Sequence, residues 1–197
     1  VPHFDDLLFL AGSLSRYPLE GYREKCSTKT VLGTRFAKKP VVLEIPITIA
    51  GMSFGALSPN AILALNRGAY MGGFAHDTGE GGISRYHRAG GGDLIWEIGS
   101  GYFGCRNPDG TFSAERFAEQ AADEQVKRIE LKLSQGAKPG HGGMLPAAKI
   151  TEEIAEARGV PMGVDCISPA AHGAFSTPLE MMTFIGQLRD LDRLLAE

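Results

Sequence analysis

Residues 129–133, IELKL, alternate apolar and charged positions, and the alternation stops at Ser134. That period predicts a strand with one buried and one polar face. Residues 47–50 are instead near-continuously apolar, as a strand buried on both faces would be. Further strands are predicted within GGFAHDTG, from Leu94 to Ile98, and within PMGVDCIS. Helical periods separate them. Ser58 caps the first, Pro59 takes its first position, Ala61, Leu63, Ala64 and Leu65 run along its body, and Gly72-Gly73 ends it. A second helix, SAERFAEQAADEQV, opens at Ser113. A third, KITEEIAEARG, runs from the N-cap Thr151 to Gly159. The last, STPLEMMTFIGQLRDLDRLLAE, is capped by Ser176 or Thr177 with Pro178 early. The stretch RYHRAGGGD to NPDGTF reads as irregular, apart from the Leu94 strand and a turn at Asn107–Gly110.

Alternating strands and helices predict a parallel α/β domain. Each strand runs into a glycine-rich loop, and barrel folds place their sites at that end. About four strands can be counted, whereas a (β/α)8 TIM barrel has eight over ~250 residues. The chain is therefore expected to hold only the N-terminal half or so of such a barrel. Residues 1–40 read as an extended lead-in with one short helix and a turn at TRFAKKP, and residues 41–197 as the partial barrel. Half a barrel exposes its inner strands, so an oligomer is expected.

Composition narrows the function. The 197 residues are 43% hydrophobic and 22% charged, with a net charge of -3. No basic footprint points to nucleic acid. No apolar run approaches the ~18 to 20 residues of a membrane helix, and the start lacks a basic leader region. Cys26, Cys105 and Cys166 are odd in number, far apart and without metal-ligand spacing, so reduced thiols, a cytoplasmic protein and no metal site are expected. Cys105 and Cys166 read as small buried residues, and Met181-Met182 as core.

The 26 glycines concentrate between positions 51 and 143. Glycine serves both tight turns and close approach to a ligand. In the twelve residues 135–146, four glycines and two prolines surround Lys138 and His141. An ammonium on such a loop can meet an anionic carboxylate or pair with Glu80, the one glutamate of DTGEGG. A lone glutamate on a loop is more commonly a solvated acid, and that reading of Glu80 stays open. Gln135 offers an amide to a ligand. His172 and His76, beside Asp77, are acid–base candidates or structural histidines.

Five stretches in order, AGMSFGALS, HDTGEGGIS, SGYFG, KLSQGAKPGHGGMLPAAKI and DCISPAAH, resemble the FMN-binding domain of glutamate synthases, whose counterparts read like MSFGALS, NTGEGG, SGRFG, AQGAKPGEGGQLPG and LISPPPHH. The match runs from about Ile45 to Leu188. It is nearest to short single-domain members, and the opening FDDLLFLAGSLSRYPLEGYREKC also resembles N-methylglutamate synthase subunits.

The resemblance implies a β/α barrel that binds FMN and reduces 2-iminoglutarate, from 2-oxoglutarate and ammonia, to L-glutamate. It implies that Ala50, Gly51, Met52 and Ser53 lie beside the flavin, where the alternative for Gly51 is a tight turn. Glu80 lies near the substrate nitrogen and favours a protonated imine. Gln135 reaches flavin or substrate, and Lys138 reaches a substrate carboxylate. Arg158 matches an arginine that binds the dicarboxylate, its alternative being a last-turn helix cation. Glu80 and Lys138 stand as the catalytic candidates. Met144, His141, Tyr102 and Trp96-Glu97 depart from the family pattern and bear on substrate identity. Nothing matches the iron-sulfur cysteines or the amidotransferase nucleophile. Electrons would come from a donor protein or an NAD(P)H-oxidising subunit, and nitrogen from free ammonia, an amine or an amidotransferase subunit. Two other readings stay open: an N-methylglutamate synthase-type subunit using methylamine, and a flavin-free barrel fragment that works by association.

Overall fold

The structure, a computed structural model, describes residues 4–6, 8, 27–37 and 39–194. Cys26 and most of the lead-in, with its expected helix, lie outside the described residues, apart from a single 3-10 turn at Phe4–Asp6. Strands β1 (Thr30–Leu32) and β2 (Val41–Leu43) form an antiparallel hairpin around the turn at residues 34–36. Then β3 (Thr48–Ile49), β4 (Ala75–Asp77), β5 (Leu94–Ile98) and β6 (Val126–Leu131) form one parallel sheet in chain order. The described residues are thus an α/β fold on a parallel sheet.

Crossover helices join these strands. Helix α1 (Pro59–Gly72) starts where Ser58 Oγ accepts the Ala61 N–H, and ends where Gly73 turns left-handed at φ 67°. Both ends match the sequence signals. Helix α2 (Arg85–Ala89) fills part of the stretch read as irregular, and α3 (Ala114–Ala121) is capped by Ser113. The α2 signal is a capping box whose second member is His87 rather than the usual Glu or Gln. Strand β6 begins at Val126, earlier than the alternation indicated, and shortens α3 accordingly.

After β6, strand β7 (Met144–Leu145) pairs antiparallel with β8 (Cys166–Ile167). Helix α4 (Glu152–Arg158) lies between them, and α5 (Pro178–Leu194) follows. The PMGVDCIS segment therefore contributes two strand residues outside the parallel sheet. It pairs with the loop chain beside it.

The two faces of the sheet differ. Leu94, Trp96 and Ile98 of β5 pack on Phe117 and Ala121 of α3 and on Phe184 and Leu188 of α5. Trp96 stacks on Phe117 with centroids 5.5 Å apart. Each such fully buried side chain contributes roughly 1.5–3 kcal/mol. Met182 is exposed and Met181 half-buried, so the core on this helix is Phe184 and Leu188 instead. On the opposite face Leu43 of the hairpin covers Ala75 and Ile95, near the starts of β4 and β5. Farther along, that same face turns polar.

Candidate functional site

Side chains alternate across a strand. With Trp96 and Ile98 facing the helices, Glu97 faces the other way, and Asp77 on β4 and Glu130 on β6 share its side. Glu97 and Glu130 are direct partners in register. Carboxyl oxygens of Asp77, Glu97 and Glu130 all lie within 4.8 Å of one another. Burial pushes the Asp77 carboxyl up to about 7, and Glu97 and Glu130 add to that against a hydrogen bond from the Gly79 amide. Burial also raises Glu97, despite the nearby Lys132. Close, desolvated carboxyls hold protons in common, so the buried pair Asp77 and Glu97 reads as proton-sharing, with the exposed Glu130 beside it.

Lys132, just past β6, supplies the matching cation. Its Nζ lies 3.1 Å from Glu97 Oε1 and 3.7 Å from Glu80 Oε2. Burial works against the ammonium, but Glu97 and Glu80 outweigh it and the net shift is upward, so the charge is retained. Gln135 Nε2 donates to the same Glu80 oxygen at 2.8 Å. A Cβ on Gly99 would stand 3.2 Å from Glu80 Cβ and Oε2, so the carboxylate has a glycine wall. Ser168 Oγ accepts the Gly143 N–H at 2.8 Å and pins the glycine-rich loop beside it.

Of the residues singled out in the sequence, Ala50, Gly51 and Met52 are exposed at the end of β3, and Ser53 is half-buried. Gly51 touches the acid cluster: a Cβ there would come within 2.7 Å of Glu97 Oε2 and 2.8 Å of Asp77 Oδ1. A close approach, and not a turn alone, requires glycine at this position. Glu80 and Gln135 are brought together as described. Lys138 stands on the exposed loop, its N–H on the Gln135 carbonyl at 3.3 Å. Its ammonium forms no ion pair among the described residues. The Glu80–Lys138 pairing is thus replaced by Glu80–Lys132, because Lys132 leaves the strand on the inner face whereas Lys138 sits farther out on the loop.

Arg158 is 5% exposed. Its Nη2 donates to the Phe54 carbonyl at 3.1 Å and to Ser53 Oγ at 3.4 Å, and its guanidinium lies over Phe103. It ties the loop after β3 to the end of α4. His76 is fully buried beside His87, ring centroids 5.3 Å apart, and burial lowers it to about 4. His172 is buried between Tyr102 and the Lys132 carbonyl. Cys105 and Cys166 are buried free thiols, as expected, and burial pushes Cys105 up to about 12.

Asp77, Glu97 and Lys132 were not among the predicted site residues. Their signals are present but faint. Glu97 is the single charge in the strand LIWEI, and Lys132 continues the polar phase of IELKL. A charge inside an otherwise apolar buried strand asks for a partner on its own face.

Residues 13–195 match the family described as the conserved region in glutamate synthase. The chain is 48% identical over 191 residues to a glutamate synthase large subunit-like protein of Rhizobium meliloti, covering 97% of this chain and 40% of that protein. It is 43% identical over 162 residues to a glutamate synthase large subunit-like protein of Bacillus subtilis, covering 82% of this chain and 31% of that one. An archaeal-type glutamate synthase (NADPH) of Thermotoga neapolitana is 33% identical over 188 residues, covering 86% of this chain and 34% of the relative. The chain therefore spans 31% to 40% of the length of these curated relatives. No helix among the described residues is long and apolar enough to cross a membrane.

Proposed function

The chain belongs to the family that carries the conserved region in glutamate synthase, and from that premise we propose that it forms part of a (β/α)8 barrel in an FMN-dependent oxidoreductase that reduces 2-iminoglutarate to L-glutamate. The parallel order β3-β4-β5-β6, with helices on one face, supports reading these strands as successive staves. The polar ends of the strands then line the mouth of the barrel.

The residues fit a flat, polar-edged ring. Exposed Ala50 and Met52 flank Gly51, whose missing side chain lets this backbone lie close against the Asp77 and Glu97 carboxyls. Ala50, Gly51, Met52, Ser53 and Gln135 would hold FMN, which when bound supplies the electron pair of the reduction.

The observation that carries the reading is the fixed carboxylate of Glu80, held by Gln135 and Lys132 at the strand ends. A carboxylate in this position favours a protonated, cationic imine nitrogen in front of it, the form that accepts a hydride more readily. The Lys132 ammonium stands 3.7 Å from Glu80 Oε2, and Gln135 fixes the orientation of the carboxyl group. Lys138, without a carboxylate partner among the described residues, would meet a carboxylate of the 2-oxoglutarate-derived substrate. Arg158 serves by holding Ser53 and Phe54 against Gly81. An electron-donor protein or NAD(P)H-oxidising subunit, and free ammonia or an amidotransferase partner, complete the reaction.

The test uses the full-length protein. Flavin absorbance after purification or reconstitution with FMN, followed by glutamate formation from 2-oxoglutarate and ammonia with reduced flavin, supports the reading. A colourless protein that cannot be reconstituted overturns it. Turnover with methylamine in place of ammonia would reassign the amine.

A further inference from the structure

Tyr102 is the non-glycine residue with positive φ among the described residues, at φ 50°. A bulky aromatic residue in that region is strained, and the surroundings must impose the conformation. Its ring is buried against Phe112 and Phe184. Packing accounts for the ring but not for the hydroxyl. That oxygen accepts the Ala174 N–H at 3.1 Å and lies 3.1 Å from His172 Nδ1.

The other nitrogen of His172 fixes the hydrogens. Nε2 is 2.7 Å from the Lys132 carbonyl, which can only accept, so Nε2 carries the proton. In the neutral ring Nδ1 is then an acceptor, and the Tyr102 O–H donates to it. Burial lowers the His172 pKa, which agrees with a neutral imidazole. Phe175 stacks on the ring at 4.6 Å and holds its plane.

The chain of bonds ends on the backbone from which a key side chain springs. The Lys132 N–H donates to the Ile98 carbonyl at 3.0 Å, and its carbonyl is taken by His172. Both sides of this residue are therefore pinned before its ammonium reaches Glu80 and Glu97. We propose that Tyr102 and His172 are positioning residues that hold the end of β6 so that the Lys132 ammonium stays between Glu80 and Glu97. Their contribution to turnover rests on the function proposed above, whereas the placement of Lys132 does not. A misplaced charged group is costly because preorganised electrostatics depend steeply on geometry.

The experiment is competitive acetylation of the full-length protein with acetic anhydride, read residue by residue by mass spectrometry. Lys138, exposed on the neighbouring loop, is the internal reference. In the parent protein Lys132 labels slowly relative to Lys138. Tyr102→Phe keeps the ring and removes the O–H, and His172→Ala removes the whole link. Each is expected to raise Lys132 labelling about tenfold against Lys138, the scale of one lost buried hydrogen bond. His172→Asn, which can both donate to the carbonyl and accept from the hydroxyl, is expected to restore slow labelling. Unchanged Lys132 labelling in both disruptive variants overturns the proposal. So does a parallel rise at the buried Cys105 thiol, which marks general loosening. Because labelling needs no flavin, it separates this proposal from the reaction: absent glutamate formation with responsive Lys132 labelling overturns the function alone.

Discussion

Gln135 Nε2 donates to Glu80 Oε2 at 2.8 Å, across 55 residues of chain. The bond joins the loop after β4 to the loop after β6, on strands separated by β5. Parallel strands make this possible, because their C-terminal ends lie side by side however far apart they are in sequence. Lys132 adds its charge to the same oxygen at 3.7 Å, so the acid is held from two directions.

Glu80→Gln preserves shape and the glycine wall but removes the negative charge. In the full-length protein it is expected to lower kcat about 100-fold, the low end of what a positioned acid–base group contributes. Steady-state kinetics of glutamate formation check this. Thermal denaturation should show an intact fold.

Gly51→Ala places a Cβ within 2.7 Å of Glu97 Oε2 and 2.8 Å of Asp77 Oδ1. The carboxyls must shift, at a cost of about 1–3 kcal/mol, and flavin retention should fall. Gly136→Ala, with nothing within 4 Å of the new atom, is the control and should leave both unchanged. Denaturation and flavin absorbance read the pair.

Asp77 has a folded pKa of about 7, above its ordinary 3.8. Between those values the folded state binds more protons than the unfolded chain, so this residue makes stability fall as pH rises from about 4 to about 7. Asp77→Asn removes the ionisable group. It is expected to raise Tm at pH 8 and to change it little at pH 4. Equal shifts at the two pH values would contradict a proton held at this position.

His76 and His87 act in the opposite sense. Burial lowers them to about 4 and about 3, and for His87 the neighbouring His76 and Arg88 add to burial. Below their ordinary 6.5 the unfolded chain binds protons that the fold refuses, so stability is full above about 6.5 and is lost as pH falls toward 4. In the Asp77→Asn background, scans of Tm against pH should therefore show a fall from pH 6.5 to pH 4.

Arg158→Lys retains a charge but loses the planar fork over Phe103 and at least one bond to Ser53 or Phe54. A loss of about 1–3 kcal/mol is expected, or several degrees in Tm. Flavin retention should weaken with it, because the loop bearing Ser53 loses its anchor. A higher KM for 2-oxoglutarate with unchanged Tm would instead mean direct contact with the substrate.

Several features were legible in the residues alone. Helix ends announce themselves locally: Ser58, Ser113 and Thr151 each accept an N–H three residues on, and Gly73 and Gly159 close their helices left-handed. Strands were readable from their periods, and five ordered motifs were enough to point to the family. All of these depend on interactions within a few residues or on the order of pieces along the chain. Tertiary structure alone decided which lysine meets Glu80, that Arg158 is buried behind the loop, that the segment around Cys166 leaves the parallel sheet, and that Asp77, Glu97 and Glu130 converge. Those outcomes depend on strand register and on which face each side chain takes. A step of one residue along a strand reverses the face, and no local pattern encodes the partner waiting on the next strand.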